Sequence, residues 1–178
     1  MCIRDSLKMH SSSGVKILGI DPGLQRTGWG LILINGNSLK YLAHGVISTD
    51  TKDPISLRIK NIYGEIYQIL ERQMPQEIAI EEIFLNNNPN STLKLGMARG
   101  ASMLACANFG LEVNEYSANK VKKAVCGSGH ADKTQIQTMV RMLLPNAPSA
   151  ILADAADALA VAICHGNHRS LTTRISAC

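Results

Sequence analysis

Short apolar runs separated by turn residues occupy the first third of the chain, and helical periodicity dominates the rest. Val15 to Ile20 is a continuous apolar run closed by Asp21-Pro22-Gly23, the pattern of a buried strand stopped by a turn. Gly28 to Ile34 predicts a second strand, and Asn35-Gly36-Asn37 after it predicts a hairpin. A third strand is expected over 38–48, making an antiparallel meander. Ile55, Ile59, Ile62, Ile66, Ile69 and Leu70 recur at helical spacing and predict a helix from about 54 to 73, ended by Met74-Pro75. Glu77 to Glu81 predicts a short central strand parallel to the first. An Asn-rich loop over 86–90 precedes a helix over 91–109, stopped by Gly110, and a fifth strand over 111–116. Asp132-Lys133-Thr134-Gln135 has capping-box spacing and opens a helix to Leu144. After a loop over 145–149, a final Ala-rich helix runs from 151 to about 165.

The order β-β-β-α-β-α-β-α-α predicts an α/β fold, with a five-stranded mixed sheet flanked by helices on both faces. No repeat or linker divides the 178 residues, so one domain is expected over 14–168. Met1 to Ser13 is patternless and reads as an unstructured or artefactual extension, and 169–178 reads as a C-terminal tail. At 46% hydrophobic and 18% charged residues the chain is not a disordered one. A net charge of +4 permits nucleic-acid binding without specifying it. No apolar stretch is long enough to span a membrane, and the first residues lack a signal-peptide pattern. Five scattered cysteines without a Cys-x-x-Cys pair argue against a zinc site or a disulfide framework and suit a reducing, cytoplasmic setting.

Four acidic residues stand in apolar surroundings. Asp21 and Glu81 each end a strand, after Leu18-Gly19-Ile20 and Ile78-Ala79-Ile80. Asp154 and Asp157 lie three apart in Ala153-Asp-Ala-Ala-Asp-Ala158 and so share a helix face. Singly, each has an ordinary reading as a turn former, an exposed strand end or a helix cap. Together they do not, because a charge on a buried helix face costs several kcal/mol unless paired. No Lys or Arg lies between Arg141 and Arg169 to pair with them locally. A divalent metal would meet the need: Mg²⁺ prefers carboxylate oxygens, and clustered carboxylates suit two ions ~3.5–4 Å apart.

Leu18-Gly-Ile-Asp-Pro-Gly23, Thr27-Gly-Trp-Gly30, Ala79-Ile-Glu81, Leu93-Lys-Leu-Gly96 with Ala98-Arg-Gly100, Val121-Lys122, Lys133 and Asp154-Ala-Ala-Asp-Ala-Leu159 together resemble the RuvC family of Holliday junction endonucleases. The match runs in order from about Val15 to His165. It implies a ribonuclease-H-like fold, a homodimer, and symmetric cleavage of two strands of a four-way DNA junction in recombination and repair, leaving 5′-phosphates. It also implies two Mg²⁺ or Mn²⁺ ions per site and branch-migration partners of the RuvA and RuvB type. By position, the catalytic and metal-binding carboxylates fall on Asp21, Glu81, Asp154 and Asp157. Glu82 is the near competitor of Glu81, but successive strand residues face opposite sides, so only one can join the cluster.

Lys120, Lys122 and Lys123 form a basic cluster beside Gly127-Ser-Gly129 and the start of the helix at Lys133. The resemblance gives Lys122 and Lys133 places near the scissile phosphate, with Arg99 a further candidate DNA contact. Phe84 either packs in the core or stacks on a junction base, as the family's aromatic at that position does. The helix from Ser91 carries Gly96, Gly100 and Ala101 on one side, and the resemblance places the dimer interface there. Three other readings compete. A domain of the actin-like kinases would need a second phosphate-binding hairpin. A ribonuclease-H-like nuclease could act on another substrate such as RNA–DNA hybrid. A junction-binding protein without catalysis would not need all four acids.

Overall fold

The computed structural model describes residues 14–83 and 88–175, and for 170–175 the backbone only. Five strands, β1 (Val15–Asp21), β2 (Arg26–Asn35), β3 (Ser38–Ser48), β4 (Glu77–Glu81) and β5 (Val113–Tyr116), form one sheet of order β3-β2-β1-β4-β5. β1 pairs antiparallel with β2 and β2 with β3, while β1–β4 and β4–β5 are parallel. The helices are α1 (Ile55–Gln73), α2 (Pro89–Asn108), α3 (Ala118–Cys126), α4 (Lys133–Leu143) and α5 (Ala153–Ile175).

The central strands are apolar on both sides because both faces are covered. Leu18, Ile20, Ile78 and Ile80 pack with Ile62, Ile66, Ile69 and Leu70 of α1 and with Ala98, Ala105 and Cys106 of α2. Ile17, Ile32 and Ala79 face the other way, against Leu159 to Cys164 of α5, with Val121 and Val125 of α3 and Ile136 and Val140 of α4 outside.

Three glycines explain how closely α5 lies on the sheet. A Cβ at Gly19 would stand 2.1 Å from the Ala158 carbonyl oxygen, one at Gly28 1.9 Å from that of Asp154, and one at Gly30 2.5 Å from the Leu159 side chain. Their missing side chains make a shallow bed on β1 and β2, and the alanines of α5 let its backbone settle into it. Ala155, Ala158, Leu159, Ala160, Val161, Ala162 and Ile163 are all fully buried.

The structure departs from the sequence-based expectation in five places. Strand β2 starts at Arg26 rather than Gly28. Helix α2 starts two residues earlier than expected, because Asn88 caps it by accepting from the Asn90 and Ser91 amides. β5 begins at Val113 rather than 111. Helix α3 was not anticipated: Ser117 caps it by accepting from the Lys120 amide, and Val121 and Val125 are its buried residues. Helix α5 begins at Ala153 and continues to Ile175, past the expected end near 165. The capping box of Asp132 and Gln135 forms as expected, at 2.8 and 3.0 Å.

Candidate active site

The parallel pairing of β1 with β4 matches Ile20 to Ile80, so Asp21 and Glu81 follow as the next residues at the same edge of the sheet. Ligand sites of open α/β sheets lie beyond the carboxyl ends of such strands. Asp21 also faces Gly28 in the β1–β2 ladder, and the bed at Gly28 admits the backbone of Asp154. One close approach therefore brings the first two turns of α5, with Asp154 and Asp157, to the strand ends that carry Asp21 and Glu81.

Asp21, Glu81 and Asp157 line one cavity of about 290 Å³, together with Lys122 of α3, Lys133 of α4 and the apolar Val121, Ile136 and Ala160. Glu82, one residue further on, is exposed and takes no part. Asp154 is held beside the group by Arg26, whose Nε lies 2.8 Å from Oδ2. Lys133 Nζ stands 3.9 Å from Asp157 Oδ2.

Carboxylates crowded in a half-dry pocket resist ionisation. Burial, then the charges of Glu81, Asp157 and Asp154, hold the Asp21 carboxyl well above its usual range, while Lys133 opposes. Burial and Asp157 push Glu81 up to about 7, against Lys122 and Lys133. Asp157 is raised by burial and by Asp154, and Lys133 and Lys122 act against this. Two lysines thus compensate the site only in part. A concave group of acids with pKa values displaced by both burial and mutual repulsion marks a functional site.

The donor set is hard oxygen, which suits Mg²⁺ or Mn²⁺ and not a soft metal. Among the described residues no three Asp, Glu, His or Cys side chains are drawn together tightly enough to hold an ion by themselves. Asp154 leans to Arg26 and Asp157 to Lys133. What remains is an open cradle, consistent with a cation that keeps waters and takes one or two carboxylates plus substrate phosphate.

The other predicted residues distribute unevenly. Lys122 and Lys133 reach the cavity, whereas Lys120 and Lys123 are exposed on α3 outside it. Arg99 is turned inward: its Nε donates to the Glu81 carbonyl at 3.3 Å, and a terminal nitrogen pairs with Glu115. Phe84 lies outside the described residues. Sequence reading missed Arg26 and Glu115. Arg26 follows Asp21 through the β1–β2 turn, but its partner Asp154 comes from α5, so the sequence carried no signal for the pair. Glu115 offered none, since its partner comes from another element.

A family model for crossover junction endodeoxyribonuclease RuvC matches residues 17–165. The chain is 52% identical over 158 residues to the crossover junction endodeoxyribonuclease RuvC of Methylorubrum populi, covering 89% of this chain and 83% of that one. It is 50% identical over 163 residues to that of Gluconacetobacter diazotrophicus, covering 92% and 96%. In structure it resembles T. thermophilus RuvC in complex with a Holliday junction substrate, with a TM-score of 0.82 at 31% identity over 89% of this chain and 97% of that one. The yeast mitochondrial Holliday junction resolvase Ydc2 shares the fold, at a TM-score of 0.65 and 13% identity over 90% and 83%.

Proposed function

This chain belongs to the RuvC family of crossover junction endodeoxyribonucleases, and we propose that it resolves four-way DNA junctions by nicking two opposite strands in recombination and repair. The observation that carries this reading is the single cavity shared by Asp21, Glu81, Asp157, Lys122 and Lys133 in a chain of this family. Asp21, Glu81, Asp154 and Asp157 would hold two divalent ions, Mg²⁺ or Mn²⁺. When bound, such ions activate water and neutralise charge developing at the phosphate, with 5′-phosphate products.

The protein's own groups set up that chemistry. Lys122 and Lys133 bind the phosphate flanking the scissile bond and offset the charge of the acids. The apolar wall of Val121, Ile136 and Ala160 lowers the local dielectric and strengthens every charge interaction in the pocket. Arg26 and Lys133 orient Asp154 and Asp157 through their ion pairs. Lys120 and Lys123 extend the basic surface along α3 towards further phosphates, and Phe84 stacks on a base at the junction, worth ~1–3 kcal/mol.

A junction has two equivalent strands, so the active form is a two-fold homodimer. Leu93, Met97 and Leu104 of α2 are 62, 42 and 55% exposed, and they flank Gly96 and Gly100, which permit close helix approach. Branch-migration proteins of the RuvA and RuvB type are its partners, in the cytoplasm. Among the described residues no helix is long and apolar enough to cross a membrane.

The test pairs two measurements on one labelled junction. Asp157→Asn should lose cleavage in Mg²⁺ yet bind in chelator as the wild type does. Wild-type cleavage by that variant would refute the assignment.

A further inference from the structure

The strand end that carries Glu81 is clamped from a third element. The β4–β5 ladder closes at the pair Glu81 and Tyr116, with the Glu82 amide donating to the Tyr116 carbonyl at 2.8 Å. The chain then leaves the sheet, and strand ends are where a ladder frays most easily. Arg99 of α2 reaches this point with a side chain only 19% exposed. Its Nε donates to the Glu81 backbone carbonyl, while a terminal nitrogen pairs with the Glu115 carboxylate on β5. One guanidinium therefore ties the last residue of β4 to β5 and both to α2. Arg99 does not line the cavity, and its charge is already met by Glu115.

We propose that Arg99 is a positioning residue for cleavage: it fixes the backbone of Glu81 and so couples helix α2 to the catalytic carboxylate. A planar fork can donate in two directions at once; a lysine ammonium lacks that geometry. Displacing a reacting group by ~1 Å costs roughly 10²-fold in rate, so the clamp acts on turnover rather than on affinity. The inference rests on the junction-cutting reading.

The experiment compares the wild type with Arg99→Ala, Arg99→Lys and Glu115→Ala. Junction affinity is measured across a salt series in chelator, and single-turnover cleavage is started by adding Mg²⁺ to the saturated complex. Arg99→Ala should slow cleavage by about 10- to 100-fold with affinity and salt slope unchanged. Arg99→Lys should recover part of the rate. Glu115→Ala should slow cleavage by a smaller factor and should not tighten binding. Should Arg99→Ala fail to fold, the exposed Glu115 decides, and an unchanged rate in Glu115→Ala overturns the proposal. So does Arg99→Ala cutting at the wild-type rate. A phosphate contact would instead show weaker binding in Arg99→Ala, a salt slope reduced by about 1, and tighter binding in Glu115→Ala. A wild type that does not cut overturns the junction-cutting reading and this inference with it; a wild type that cuts alongside an equally fast Arg99→Ala overturns this inference alone.

Discussion

Gly28→Ala puts the largest strain on the account for the smallest change in chemistry. The new Cβ would stand 1.9 Å from the Asp154 carbonyl oxygen and 2.4 Å from its carbon, both backbone atoms that cannot rotate aside. Ordinary contact begins at 3.4 Å, so the gap must widen from 1.9 to at least 3.4 Å by a retreat of α5 or a bend in β2. Either movement opens the core along Ala155, Ala156 and Ala158 to Cys164, which are fully buried or nearly so. Overpacking of this kind costs about 1–3 kcal/mol, which in a domain of this size lowers the melting temperature by roughly 2–12 °C. The retreat also carries Asp154 and Asp157 away from Asp21 and Glu81, and a misplacement of ~1 Å costs roughly 10²-fold in rate. The assay is thermal melting together with single-turnover junction cleavage, well below the variant's melting temperature. Gly64→Ala on α1 is the control: nothing lies within 4 Å of its Cβ position, so it should gain up to ~1 kcal/mol from helix propensity and keep full activity. A Gly28→Ala variant with wild-type melting and wild-type cleavage would refute the idea that the glycine bed places the carboxylates.

Four further outcomes follow from the same geometry. Folding raises the carboxyl pKa of Asp21, Glu81 and Asp157, so the folded state holds these protons more tightly. In chelator, stability is therefore greatest below the unfolded pKa values and falls as pH rises through about 7, where Glu81 titrates. Glu81 alone accounts for up to about 3 kcal/mol of that fall, and Glu81→Gln should flatten a plot of melting temperature against pH; a steeper plot would contradict the burial argument. Asp21→Asn should melt higher than the wild type at pH 8 in chelator while losing cleavage, and lower melting would count against a repulsive site. Lys122→Ala should weaken junction binding and reduce its salt slope by about 1, and an unaltered slope would show that this lysine meets no phosphate. Met97→Asp, on the exposed face of α2, should give a monomer by sedimentation, and a persistent dimer would move the interface elsewhere.

The strands of the meander and the two strand-end acids were legible because continuous apolar runs closed by Asp21-Pro22-Gly23 and by Glu81 have few other readings. The glycines of the first two strands were visible as a motif, but their purpose depends on where α5 lies. Helix α3 escaped because Lys120, Lys122 and Lys123 dominate a nine-residue helix anchored by two valines, too few positions for periodicity to register. Its placement is tertiary: Val121 and Val125 pack on the face of α5. The extension of α5 past His165 escaped because its apolar pattern lapses there. The sequence shows no local counter-ion for Asp154 and Asp157 and points to a divalent metal in its place; only the fold shows that Arg26 of β2 and Lys133 of α4 also stand beside them. Arg99 reads from the sequence as a candidate DNA contact; its pairing with Glu115, on a separate strand, is visible only in the fold.

In the proposed homodimer two copies of this pocket would cut a four-way junction at two symmetric places. The measurement that tests it most directly is cleavage of a synthetic junction labelled in turn on each of its four strands, beside linear duplex and RNA–DNA hybrid, with Mg²⁺ and with chelator. Mg²⁺-dependent nicks are expected at matching positions on two opposite strands of the junction, with no cutting of duplex or hybrid. Cutting of the hybrid alone, or junction binding without any nick in Mg²⁺, would contradict it.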